Sequence, residues 1–304
     1  MKVYKEQYVA SAFEKILDDL WNEPEYIASP RGMEVREIRD CVIEIEKPMM
    51  NLYENKYRSS PMKYCCAEIL WYFSGTNYPN YIENYAGMWK TLHNVDGTVN
   101  SSYGNLLFTE KNEHGFTQYD WVITSLRRDK DSRQAFMHFN KPHHQFLENK
   151  DQVCTLQSLF HIRENRLHMT LTMRSNDVIF GFMTDWAFFS VLQYHVFLEL
   201  KKIYPELEMG SYTHISHSMH VYERHYDLVE KMVGPKYSDR AQFTPDELPL
   251  LSETVLDDKG NILPKYESVF NPIKEGKKPD YSQRTGNPLI DWCLKTLEED
   301  EEIK

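Results

Sequence analysis

CTLQSLFHIRENRLHMTLTMRSNDVIFGFMTD, residues 154–185, is the stretch from which the rest of the chain is read. Residues 152–163 and 166–174 alternate apolar with polar side chains, the period of strands with one buried face, and a turn at Glu164-Asn165-Arg166 joins them. A hairpin of that length returns Arg174 to the vicinity of Cys154. The tetrad Arg174-Ser175-Asn176-Asp177 closes the second strand. An aromatic segment then leads to Asp185, where a long apolar helix reaching Lys202 is expected, capped by Thr184 or Asp185.

Outward from this stretch, helices and strands mix without a strict strand–helix–strand rhythm. Residues 4–21 put Val9, Phe13, Ile16, Leu17 and Leu20 on one helical face, and residues 35–46 alternate as a strand. Residues 61–74 form an apolar helix opened by Pro61 and closed by Gly75. A helix over 78–92, a turn at 100–105, a helix over 116–128 and a strand over 133–139 follow. Beyond the central stretch come a strand at 209–219 and a helix from Tyr222 to Met232. From Val233 onward prolines, glycines and charges predict long surface loops with short strands, and the acidic end is expected to fray. This order predicts an α+β protein, a mixed sheet covered by helices. There is no GxGxxG and no GxxxxGK[ST], so neither a dinucleotide fold nor a P-loop has support.

Composition narrows the function. The chain has 304 residues, 41% hydrophobic and 13% aromatic, as in an ordinary globular protein. Its formal charge of −11 argues against a general nucleic-acid binder. A small phosphorylated ligand needs only a few placed arginines and stays open. No signal-peptide core or membrane-length apolar run is present, so a cytoplasmic location is expected, the host cytoplasm if the chain is phage-encoded. The five cysteines form no CxxC pair and no zinc spacing, so free thiols and no metal are expected.

Several residues carry two readings. Cys154 is either a buried structural thiol or a nucleophile whose thiolate Arg174 favours. The RSND tetrad is either a turn or an anion site in which Arg174 and Ser175 hold a phosphate while Asn and Asp order what lies beside it. Asp185 is either a helix cap or a carboxyl whose pKa an aromatic pocket raises. As a neutral acid it both donates and accepts, which matches cytosine; an amide there would suit uracil. His220 and Tyr222, on one side of a strand end, are a core pair or a grip on a sugar hydroxyl. Glu68, inside the apolar helix, belongs to a site or to a buried network.

In combination, residues 28–232 resemble thymidylate synthase and the pyrimidine nucleotide hydroxymethylases. The resemblance rests on Arg31-Gly32, EILWYFSGTN (68–77), Met88-Trp89, SSYG (101–104), DSRQ (131–134), Cys154, RSND, FGF (180–182) and HVY (220–222). It implies one domain over 1–304, with 233–304 an extension of unclear role, and a homodimer whose sheets pack against each other. Cys154 is then the nucleophile at C6 of the pyrimidine, and Glu68 runs proton relays through water. Arg31, Arg174 and Ser175 become phosphate ligands, with Arg133 supplied by the partner subunit. Asp177 would orient the base, His220 and Tyr222 hold the sugar 3′-hydroxyl, and Trp89 and Tyr103 line the folate and base pocket. Methylenetetrahydrofolate is the implied co-substrate.

Four positions depart from the synthase pattern. Asp185 replaces the asparagine that reads uracil, as in the deoxycytidylate hydroxymethylase branch, which MRSNDVIFGF also resembles. Thr155 stands for a histidine. Gln134 stands for a second arginine, which weakens or rearranges phosphate gripping. EEDEEIK replaces the apolar tail that seals the synthase site, which favours water over hydride in the last step. The function this implies is 5-hydroxymethylation of dCMP, as in phages with modified DNA precursors. Alternatives are a dCMP 5-methyltransferase with folate as hydride donor, a CMP hydroxymethylase, and a non-catalytic nucleotide- or RNA-binding relative.

Overall fold

The computed structural model describes residues 1–49, 53–55, 57, 58, 60–233, 240–242 and 249–301. The chain opens with strand β1 (Val3–Glu6), where helix was expected, and helix α1 (Val9–Asn22) follows. β1 pairs parallel with residues 42–45, so its backbone bonds go to a neighbouring strand, which outweighs the helical spacing of its first residues. The expected face of α1, Val9, Phe13, Ile16, Leu17 and Leu20, is buried.

β2 (Tyr26–Ala28) and β3 (Val35–Ile45) come next, then β4 (Tyr53–Asn55) and α2 (Met62–Ser74), which Gly75 ends in the left-handed conformation at φ 73°. The helix expected over 78–92 is instead two short 3-10 turns, Ile82–Asn84 and Gly87–Thr91, because Pro79 and Gly87 punctuate it. After a π-helical turn at Asn105–Thr109 the chain forms α3 (Gln118–Arg128) and β5 (Phe136–His138). The hairpin β6 (Thr155–Arg163) and β7 (Arg166–Met173) turns through Glu164 and Asn165, at φ 49° and 61°. A two-residue loop with both φ positive matches the right-handed twist of its strands. Then come β8 (Asn176–Asp177), α4 (Phe182–Lys201), β9 (Glu208–Tyr222) and α5 (Tyr226–Val233).

The strands form a mixed sheet in the order β1-β3-β9-β7-β6-β5, with β2 on β3 and β8 on β9. Pairing is parallel in β1/β3, β7/β9 and β8/β9 and antiparallel in β3/β9, β6/β7 and β5/β6. The α+β class with a mixed sheet and covering helices is the class expected. Along β7, Leu167, Met169, Leu171 and Met173 are buried, while His168, Thr170 and Thr172 on the opposite face are half-buried. α4 lies across the buried face, its Trp186 ring 4.1 Å from Tyr212 and its Phe182 ring 5.3 Å from His214.

Part of the proline- and glycine-rich region, 234–239 and 243–248, lies outside the described residues, as do 302–304 of the acidic end. Within it stands β10 (Arg240–Gln242), paired with β4. Loops occupy 249–263 and 275–287 as expected, but two helices were not foreseen, α6 (Glu267–Lys274) and α7 (Pro288–Glu301). Both pack on α2. They bury Val269, Phe270, Ile273, Ile290, Cys293, Leu294 and Leu297. Apolar residues on every side of α2 reflect its position between α4 and these helices. No described helix is long and apolar enough to cross a membrane.

Candidate active site

The hairpin delivers Arg174 to Cys154, as its length predicts. The ladder ends with the Arg174 N–H donating to the Cys154 carbonyl at 2.9 Å, and a register shift at Thr155/Gln157 kinks β6 beside the thiol. The guanidinium donates from Nη2 to Sγ at 3.3 Å and to the Gln152 carbonyl at 2.7 Å, from Nε to the Val153 carbonyl at 3.0 Å, and from Nη1 to Ser175 Oγ at 3.1 Å. A guanidinium has five N–H bonds, so one is left for an incoming anion. Ser175 Oγ lies 3.8 Å from the same sulfur.

Burial pushes the Cys154 thiol up, and the Arg174 charge offsets this only in part, with Asp185 raising it further. Arg174 thus favours the thiolate, as expected, but burial outweighs it and the net shift of the thiol is upward.

Glu68 faces inward from α2 and is 6% exposed. It accepts from Tyr64 at 2.6 Å and from Tyr72 at 3.3 Å, and the Trp89 indole N–H donates to the Tyr64 hydroxyl at 3.1 Å. Burial pushes its carboxyl up to about 8 despite the Tyr64 bond, and Asp185 adds to the rise. Asp185 lies in the first turn of α4, one turn inside the cap position at Gly181, so it is not the N-cap; no side chain caps this helix. Asn176 Nδ2 donates to Asp185 Oδ2 at 2.7 Å, and burial pushes this carboxyl up to about 7. The second reading of Asp185, a carboxyl with a raised pKa, is the one the geometry favours. The Asp185 charge raises Cys154, Glu68 and Tyr103, so its carboxyl lies near all three.

Tyr103 stacks on Tyr72 at 5.3 Å and accepts from Thr155 Oγ1 at 2.9 Å. Thr155, in the histidine's place, thus holds an aromatic wall. Trp89 and Tyr103 are both buried, their polar ends committed to Tyr64 and Thr155. β8 sets Asp177 opposite His220. Asp177 Oδ1 accepts from the Ile179 N–H at 2.9 Å, and Oδ2 is 3.8 Å from Arg224. His220 and Tyr222 share a side with ring centroids 4.9 Å apart. His220 Nδ1 donates to the Ser218 carbonyl at 3.1 Å, which makes Nε2 an acceptor suited to a hydroxyl.

Two expected residues reach outward from exposed turns. Arg31, at φ 57° in the turn before β3, and Arg133, before β5, are exposed, and neither has a partner among the described residues. Sequence reasoning missed Tyr64 and Tyr72, though their i±4 spacing from Glu68 was a signal. It also missed Arg224, whose guanidinium lies 4.3 Å over the Tyr222 ring. Among the described residues, no group of three or more His, Cys, Asp or Glu could hold a metal.

The site thus gathers a thiol backed by arginine at the end of the β6/β7 hairpin, a buried glutamate from α2 and a raised carboxyl from α4. The thymidylate synthase family model covers residues 14–250. The chain belongs to the thymidylate synthase family. It is a one-carbon transferase acting on a pyrimidine nucleotide. Deoxycytidylate 5-hydroxymethyltransferase of Enterobacteria phage T6 is 28% identical over 215 residues, 68% of this chain and 84% of the relative. The enzyme of the same name from phage T4 is 28% identical over 222 residues, with the same coverage. Deoxyuridylate hydroxymethyltransferase of Bacillus phage SP01 is 25% identical over 255 residues, 81% of this chain and 62% of the relative. Among solved structures, thermostable thymidylate synthase A from Bacillus subtilis shares the fold, with a TM-score of 0.61 at 19% identity over 77% of this chain and 85% of that one.

Proposed function

We propose that this enzyme is a deoxycytidylate 5-hydroxymethyltransferase. The observation that carries the reading is Asp185, a carboxyl that burial raises to about 7 in the region of the Cys154 sulfur. In its protonated form, which burial keeps populated at neutral pH, the acid presents both a donor and an acceptor, the complement of cytosine N3 and its exocyclic amine. The resemblance of residues 154–185 to the deoxycytidylate branch and the T6 and T4 relatives support the same choice.

In this reading Cys154 adds to C6 of the base, which turns C5 into an enamine carbon able to attack. Arg174 lowers the cost of the thiolate, and Asp185 donates to N3, where charge develops. Methylenetetrahydrofolate supplies the one-carbon unit. The flat aromatic lining of Tyr72, Trp89 and Tyr103 beside Glu68 fits a hydrogen-bonding heterocycle. Glu68, protonated at neutral pH, holds a proton beside the transfer site and returns it through water. C5 attacks the one-carbon unit and gives up its proton to water, and tetrahydrofolate leaves. Water adds to the resulting exocyclic methylene to complete the hydroxymethyl group, and the Cys154–C6 bond breaks as the thiolate departs. Arg174, Ser175 and Arg31 take the phosphate, and His220 and Tyr222 the sugar 3′-hydroxyl. Arg133 serves the site of a second copy packed through the half-buried sheet face.

The test is competition between dCMP and dUMP at neutral pH. The wild-type chain is expected to favour dCMP, and Asp185→Asn to swing toward dUMP by roughly a hundredfold, as a mismatched buried hydrogen-bonding edge requires. An unchanged dCMP preference in Asp185→Asn contradicts the reading.

A further inference from the structure

A neutral carboxyl alone does not tell cytosine from uracil. With its proton on the oxygen facing N3 it matches cytosine. With the proton on the other oxygen, it donates to uracil O4 and accepts from N3–H. Something must break that symmetry.

Asn176 is placed to do so. It is 3% exposed, and its Nδ2 donates to Asp185 Oδ2 at 2.7 Å. Its Oδ1 is buried without a hydrogen-bond partner among the described residues. A buried acceptor left unpaired costs free energy, so the other end of the amide must repay its presence. Gly181 leaves the room: a Cβ there would stand 2.9 Å from Asn176 Nδ2 and 3.4 Å from Asp185 Oδ2.

We propose that Asn176 is a positioning residue for base selection, its buried amide holding Asp185 Oδ2 as an acceptor so that the acid's proton sits on Oδ1. Oδ1 then donates to N3, and Oδ2 keeps a lone pair for the exocyclic amine. An N–H aimed at Oδ2 excludes a proton pointing back from it, so the uracil-matching form is suppressed. The inference rests on the cytosine reading of Asp185.

The other groups facing Asp185 are Glu68, Tyr64 and Tyr72 from α2, Tyr103, Cys154, and Tyr212 from β9. None is a cation, and the Asn176 amide is the contact that favours the charged form of Asp185. Its removal therefore raises the carboxyl further and carries the alkaline limb of dCMP turnover to higher pH.

The experiment compares kcat/KM for dCMP and dUMP, with methylenetetrahydrofolate, across the neutral pH range in the intact enzyme. Asn176→Ala is expected to cut the dCMP/dUMP ratio by roughly tenfold, the worth of one buried hydrogen bond, and to move the alkaline limb upward. Asn176→Asp, of nearly the same shape and the safeguard should the alanine variant not fold, places an acceptor against Oδ2 and is expected to turn preference toward dUMP. Equal losses for both substrates with the limb unmoved mean a merely structural role and overturn the proposal. A wild-type enzyme with no preference for dCMP overturns the cytosine reading beneath it instead.

Discussion

The two raised carboxyls make the site a place of stored instability. Asp185 at about 7 and Glu68 at about 8 bind protons more tightly folded than unfolded, where an ordinary carboxyl titrates near pH 4. Stability from this source is full below about pH 4, where the unfolded chain also holds both protons. It falls as pH rises from there because the unfolded chain then binds fewer protons, and is lost once pH passes those folded values. Asp185→Asn and Glu68→Gln remove the decline. Each variant's advantage over wild type is expected to be at least about 3 °C greater at about pH 9 than at about pH 5, from a difference on the order of 2 kcal/mol or more. Equal melting shifts at both pH values would mean that burial does not hold these protons. Cys154, Glu68 and Asp185 were legible as residues because each breaks an apolar pattern or follows a fixed spacing. The net rise at Cys154 was not, since it depends on how much solvent the fold removes around the sulfur.

Elements bring these residues together through one close-packed glycine and one hairpin. Gly104, in the SSYG segment, runs so close to the end of α2 that a Cβ would fall 1.8 Å from the Tyr72 carbonyl oxygen. Tyr72 in turn bonds Glu68 and stacks on Tyr103. Gly104→Ala is therefore expected to cost about 1–3 kcal/mol, the usual penalty of overpacking, and to lower turnover. A urea midpoint unchanged from wild type would show that the loop yields freely. The hairpin, β9 and α2 were legible from period and punctuation alone. β1 was not, because parallel pairing with β3 is a distant contact that local spacing does not encode. The turns that replace a helix over 78–92 show the reverse: a plausible spacing that Pro79 and Gly87 override.

At the scale of the molecule, the unforeseen part is the C-terminal region. The family match ends at residue 250, yet α6 and α7 cover α2, with Phe270 6.4 Å from Phe73. Their amphipathic turns are short and lie between proline- and glycine-rich loops, so composition masked them. We infer that the chain folds as one unit. Burying side chains such as Phe270, Ile273, Ile290, Leu294 and Leu297 stabilises by about 1.5–3 kcal/mol each, which together rivals the 5–15 kcal/mol typical of a whole domain. A chain ending at residue 250 is expected to lose its cooperative thermal transition; a sharp transition near the wild-type Tm would make the helices a dispensable appendage. The central claim, one-carbon transfer to cytosine finished by water, is tested most directly by the mass of the product that the intact enzyme forms from dCMP and methylenetetrahydrofolate. The account predicts a nucleotide heavier by CH2O with no dihydrofolate formed. Unmodified dCMP beside converted dUMP, or a gain of CH2 with dihydrofolate, would contradict it.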